Sequence, residues 1–272
     1  MVNKIERLFQ DGPEEYSCDW IKAENERFRR REWEAKYNPD YAAAEDKDTS
    51  PSDLAKLSKS QSPAVRENVA SNISTSEELL DELANDGDKW VRCCVAKNPS
   101  TSPETLDRLG NDDVGEVRYQ VAGNSDTLED TYQRLIEDEA SDICLNVGRN
   151  PDAPDRIRIQ IYACTGWPPG DLDDISFDPE IIDELWNDAD ARVRRGVANY
   201  PRTKTEILDN LASDTDDEVR FYVASNSQTS LSTVTGLCSD SSPKVQRVAM
   251  DERGRRLSEN LYKISHPQSS ED

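Results

Sequence analysis

Five arginines stand at one position of a recurring string: Arg66, Arg92, Arg118, Arg194 and Arg220. A guanidinium is a planar fork of donors suited to a carboxylate or a phosphate. A column of aspartates, Asp86, Asp112, Asp138, Asp188, Asp214 and Asp240, keeps the same register. Two kinds of chemistry are open to such a pair of columns. In one, each arginine binds a turn aspartate or turn carbonyl and locks one unit to the next. In the other, the arginines form a ladder along a concave surface and hold an acidic or phosphate-bearing ligand. Catalytic groups are scarcer. The only histidine, His266, stands near the end of the chain, which removes most Ser/His/Asp and Cys/His arrangements and His-rich metal sites. The six cysteines form no CxxC pair, and neighbouring Cys93 and Cys94 suit no ordinary bridge, so free thiols in a reducing compartment are expected. Cys94 and Cys238 fall at helical and apolar positions and read as packing residues rather than nucleophiles. Neither GxGxxG nor GxxxxGK[ST] occurs, so nothing cradles a nucleotide phosphate. With 56 Asp and Glu residues, some pair reaches catalytic spacing by chance. Asp173 and Asp174 are the carboxylates an enzyme reading would use. The expectation is no enzyme, no cofactor and no metal.

The elements that position these columns repeat. The string V-R-x-x-V-A begins at Val65, Val91, Val117, Val193 and Val219, with Ile143 and Val245 in weaker copies. Seven copies result, 26 residues apart except for one interval of 50. Eight residues upstream lie Leu57, Leu83, Leu109, Leu135, Leu185, Leu211 and Leu237, and an apolar column three residues earlier shares their helical face. Val69, Val95, Val121, Val147, Val197 and Val223 follow the marker by four, next to small residues Ala70, Ala96, Ala122, Gly148, Ala198 and Ala224 that let helices approach closely. Start signals precede each helix: Ser50-Pro51, Ser76-Glu77, Ser102-Pro103, Asp178-Pro179 and Ser230 for the first, and Ser62-Pro63, Asp88, Asp190, Asp216 and Ser242-Pro243 for the second. Asn72, Asn98, Asn124, Asn150 and Asn226 are expected to close the second helix in a left-handed conformation. Each unit is thus two short helices, neither able to bury its apolar face alone, and stacking makes one continuous core.

These columns, T-S-P-x-x-L-x-x-L followed by D-x-x-x-x-V-R-x-x-V-A-x-N-P, resemble the leucine-rich repeat variant family, which is all-helical despite its name. Thr101–Asn124 and Thr203–Asn226 match best, and the resemblance covers about residues 49–250. It implies an all-α, HEAT-like right-handed solenoid in which an α-helix alternates with a shorter helix, sometimes 3₁₀. A founding member of the family holds an iron–sulfur cluster on N-terminal cysteines. Only Cys18 precedes the repeats in this chain, and four thiolates are needed, so no cluster is carried over.

Three segments stand outside the pattern. Residues 1–48 are expected to be a helical extension or cap. Trp20, Phe28, Trp33 and Tyr37 would be its anchors over the first repeat, or Arg27, Arg29, Arg30 and Arg31 would form a basic patch for a partner. Asp40 to Ser52 reads as a flexible connector. Residues 49–257 form the solenoid, with an irregular insertion near 164–178. There Arg156 to Ala163 reads as a helix of a decayed repeat, and Trp167 is the best single candidate for a partner contact. Residues 258–272 read as a disordered tail.

Net charge is −23 over 272 residues, and charged residues make up 33% against 35% apolar. That field repels nucleic acid and anionic lipid and favours a basic partner. No segment approaches a membrane span, and the N-terminus has no apolar h-region, so a cytoplasmic chain is expected. The functional expectation is a protein-binding scaffold or adaptor. The alternative is a solenoid that binds nucleic acid through the arginine ladder.

Overall fold

The computed structural model describes residues 18–163 and 174–265, and all regular structure among them is helical. The chain divides into two compact units, Met1–Thr105 and Leu106–Asp272. Each is a run of two-helix repeats, and the fold is that of a helical repeat solenoid.

In the first unit, the first helices are Pro51–Leu57 and Glu77–Leu83, and the second helices are Pro63–Ser71 and Lys89–Lys97. Each starts where its cap chemistry directs. The Ser50 hydroxyl accepts the Asp53 N–H at 3.2 Å, and the Asp88 carboxylate accepts the Trp90 N–H at 2.9 Å. Ser62 is the exception: it makes no cap bond to its own helix, because its hydroxyl donates to Glu34 at 2.5 Å instead. The second helices stack on one another, with Val65, Val69, Val91 and Val95 fully buried between them.

The stretch from Asp40 to Ser52, expected as a connector, is helical over its first half, within the helix Pro39–Glu45. Asn38 caps it, Pro39 opens it, and it packs on Pro63–Ser71 as a second helix would. Tyr41 and Ala44 are buried there.

In the second unit, Glu129–Leu135, Pro179–Leu185, Thr205–Leu211 and Leu231–Leu237 are first helices; Gly115–Ala122, Ser141–Arg149, Ala191–Asn199 and Asp217–Ser225 are second helices. All the second helices described are α. The decayed repeat is shorter: one α-turn, Asp155–Arg158, then a 3₁₀ segment, Ile159–Ala163. That segment packs on both Ser141–Arg149 and Ala191–Asn199, occupying the place of a second helix. Two glycines make room for it. A Cβ at Gly196 would stand 2.0 Å from the Ile159 carbonyl oxygen, and one at Gly148 would stand 2.7 Å from Ile161 and Ile175 side chains.

The asparagines do not work as expected. Asn72, Asn98 and Asn226 have extended backbones (φ −73°, −71° and −71°), not left-handed ones. They are buried, and their amides stitch successive repeats. Asn98 Nδ2 donates to the Ala70 and Asn72 carbonyls at 2.8 and 3.0 Å, and Asn226 Nδ2 to the Ala198 and Tyr200 carbonyls at 2.8 and 2.9 Å. Each Oδ1 accepts the N–H two residues on, as from Ser100 and Gln228, both at 2.9 Å. One side chain thereby satisfies three backbone groups that burial would otherwise leave without partners. At Asn150 one acceptor is the Tyr132 hydroxyl, at 2.9 Å, which in turn donates to the Asn124 carbonyl at 2.6 Å; burial pushes this phenol up to about 12.

The last helix runs Pro243–Ser265, past the boundary at residue 257 that composition suggested. Position 252 carries glutamate where the register asks for asparagine, so no amide closes the junction there. Instead Arg256 reaches back from the next turn: Nη2 donates to the Asn226 carbonyl at 2.8 Å, and Nη1 donates to the Thr229 carbonyl. Glu252 holds this guanidinium at 2.6 Å.

Candidate functional site

The arginine column is built on the first turn of each second helix, one residue after the buried marker valine. That placement aims each side chain along the stack toward the next turn. Arg66 binds Asp86 through Nε and Nη2 at 2.6 and 2.8 Å, while Nη1 donates to its own turn at the Ser60 carbonyl, 2.8 Å. Arg118 repeats this on Asp138 and the Asp112 carbonyl, Arg194 on Asp214 and the Asp188 carbonyl, and Arg220 on Asp240 and the Asp214 carbonyl. Arg92 likewise donates to the Asp86 carbonyl at 2.8 Å. The guanidinium side chains of Arg66 and Arg220 are 18% and 11% exposed.

The aspartates complete the lock. Asp214 accepts its arginine with both oxygens and also takes the Asp216 N–H at 2.9 Å. The Arg220 hydrogen bond holds the Asp240 carboxyl below its ordinary value of 3.8, against the opposing effect of burial. At Asp86 burial is the largest influence and pushes upward, but the bonds from Arg66 and the Asp88 N–H outweigh it and the carboxyl is lowered. The geometry is therefore that of the locking arrangement, with the forks of Arg66, Arg118, Arg194 and Arg220 occupied inside the chain.

Sequence reasoning passed over one member. Arg156, on the short Asp155–Arg158 helix, binds Asp188 at 2.8 and 3.1 Å. It supplies the lock for a repeat that has no second helix to carry one. The signal was the unmatched Asp188 in the aspartate column.

The N-terminal helix Cys18–Tyr37 reverses its expected orientation. Among its described side chains Phe28, Trp33 and Tyr37 face outward, 62%, 58% and 58% exposed. The inward face is Arg27, Arg30, Arg31 and Glu34, a spacing that places all four on one side of a helix. Arg27 and Arg30 both pair with Glu67 at 3.0 Å, Arg31 Nε donates to the Tyr41 hydroxyl at 3.3 Å, and Glu34 takes the Ser62 hydroxyl. Arg27 also lies over the Trp90 ring at 4.1 Å. The helix thus lies across the second helices Pro39–Glu45, Pro63–Ser71 and Lys89–Lys97. Its aromatics stay outside because that face offers carboxylates and one indole, not an apolar groove. Arg29, the remaining member of the basic patch, is exposed.

Cys94 sits under this helix, and burial pushes its thiol up, away from the nucleophilic thiolate. Trp167 and Asp173 lie outside the described residues. Asp174 is described and pairs with Arg149 at 2.7 Å. Among the described residues, no group of three or more His, Cys, Asp or Glu is placed to hold a metal ion, and no helix is long and apolar enough to cross a membrane.

No family model matches the chain, and no curated protein matches it. Among solved structures it is similar to one described as a leucine-rich repeat variant with a novel repetitive structural motif, at 22% identity and a TM-score of 0.38, over 74% of this chain and 71% of that one. That description names the same family as the repeat columns resemble. A second is an engineered protein, at 14% identity and a TM-score of 0.29, over 85% and 80% of the two chains.

Proposed function

We propose that this chain is a non-catalytic scaffold that binds a basic protein partner. The observation that carries the reading is the fate of its cations. The ladder arginines are spent inside the turns, while carboxylates on the first helices, among them Glu78, Glu82, Glu104, Glu184 and Glu206, are exposed. A net charge of −23 is then presented to the surroundings, with the ladder arginines engaged in the turns rather than offered to a phosphate. Repeat arrays offer extended surfaces of this kind to other proteins. In this reading Arg66, Arg92, Arg118, Arg194 and Arg220 serve binding by holding the turns, and Trp167 adds a contact of its own.

The test is affinity capture from host lysate at about 0.15 M salt, with identification by mass spectrometry and direct titration of the purified captured protein. A defined complex with a basic protein, weakened by salt and by Trp167→Ala, is the expected result. Recovery of nucleic acid, or no retention at any salt, overturns the reading.

A further inference from the structure

Among its described side chains, the Cys18–Tyr37 helix is held by charge. Its docking face presents Arg27, Arg30, Arg31 and Glu34, and the large apolar side chains described on it, Phe28, Trp33 and Tyr37, are left exposed. Beneath it stands Glu67, whose side chain is only 1% exposed. A carboxylate this buried is costly without a cation beside it. The register shows that Glu67 is not part of the repeat: the same column holds Cys93, Tyr119, Leu145, Arg195 and Phe221 elsewhere. Asp88, 3.8 Å from Arg30, and the Trp90 ring extend the same surface. The first unit therefore builds, on its second helices, a receptor for guanidinium groups: a buried carboxylate, a second carboxylate and an indole face. The fit of the resident helix is incomplete, since Arg30 Nε is buried with no acceptor.

We propose that this surface is the docking site for an arginine-bearing helix of the protein partner, and that Cys18–Tyr37 is a tethered occupant which the partner displaces. The inference rests on the protein-binding reading and names its surface. A helix docked by ion pairs gains little from apolar burial, so a competitor carrying arginines one turn apart replaces each contact in kind. Release frees Phe28, Trp33 and Tyr37 along with the helix, and leaves the partner's cations on Glu67 and Asp88. The tether keeps the site filled, and Glu67 paired, whenever no partner is present.

The experiment uses the full chain and a labelled peptide with the sequence of residues 18–37. Binding is read by fluorescence anisotropy for the wild type, for Arg27→Glu/Arg30→Glu, and for that variant with Glu67→Gln added. The double variant should bind the peptide about tenfold or more tightly than the wild type, whose own helix competes. Adding Glu67→Gln should abolish the gain, and raised salt should weaken it. Hydrogen exchange on the wild type is the companion measurement and needs no variant to fold. Salt should speed exchange in 18–37 while leaving 63–71 and 89–97 protected. Equal peptide binding by wild type and double variant, no binding by a double variant with a wild-type melt, or salt-independent exchange of 18–37 overturns the proposal. A captured basic partner that the peptide does not compete away would leave the scaffold reading standing and remove this one.

Discussion

The regular junction between Ala191–Asn199 and Asp217–Ser225 and the irregular one between Ile159–Ala163 and Ala191–Asn199 solve one problem with different residues. At the regular junction Asn226 bonds the carbonyls of Ala198 and Tyr200. At the irregular one Tyr200 occupies the asparagine position, and Asn199, one residue earlier, donates to the Tyr162 carbonyl. Tyr200 fills its place by packing edge-on against Tyr162 and Phe177, at 5.1 and 5.3 Å between ring centres. Arg194 locks the regular junction from a second helix, while Arg156 locks the irregular one from a first helix. What the array requires is therefore a satisfied set of buried carbonyls and a held turn. Which residue supplies them follows from the local path of the backbone.

The comparison is broken most severely at Gly196. Gly196→Leu drives a Cβ into the Ile159 backbone, which cannot rotate away as a side chain would. A loss of about 3 kcal/mol or more is expected, read as a lowered urea midpoint, with exchange speeding first in 159–163 and 191–199. Wild-type stability would contradict the close seat of the 3₁₀ segment. Next is Asn226→Ala, which strands the Ala198 and Tyr200 carbonyls and should cost about 2–4 kcal/mol. A helix-ending role alone predicts far less, so the same midpoint measurement separates the two. Arg220→Ala and Arg156→Ala then compare the two locks directly. The regular lock is well covered and should cost about 2 kcal/mol. Arg156 is 39% exposed, and its loss should cost under about 1 kcal/mol. Equal losses would mean that burial does not set the strength of the lock.

The smallest effect per group is the titration of the locks. Each lock aspartate is held below 3.8 when folded, so its contribution is complete above the unfolded value and is lost as pH falls through the folded one. Stability should decline progressively as pH falls below about 5 and onward through the carboxylate range. Arg220→Ala should flatten that decline, and an unchanged slope in thermal melts across this range would count against the assignment.

The repeat itself was legible because buried valines, capping serines and prolines must recur wherever identical turns stack. Spacing also set each arginine in register with an aspartate. It did not choose between a ladder that holds turns and one that holds a ligand, since the same fork serves both. Asparagine misled for a physical reason: it both tolerates left-handed backbones and bridges carbonyls, and only burial beside the preceding repeat distinguishes the two. Pro39–Glu45 was missed because it lacks the V-R-x-x-V-A string, although Pro39 lies one repeat length before Val65 and Ala44 one before Ala70. Phe28, Trp33 and Tyr37 were expected to face inward on hydrophobicity alone. The side chain that decides their orientation, Glu67, sits thirty positions or more along the chain and outside any repeating column.

Arg256 has a consequence for the junction it closes. Elsewhere a neutral amide bonds the carbonyls of the preceding repeat, as Asn98 and Asn226 do. Between Asp217–Ser225 and Pro243–Ser265 the Asn226 carbonyl is taken instead by a guanidinium, which also reaches the Thr229 carbonyl and is held by Glu252. A charge does there what a dipole does at the asparagine junctions, and dissolved ions screen charges far more than amides. Ionic strength is therefore a dial on this one seam, and the amide seams do not answer to it.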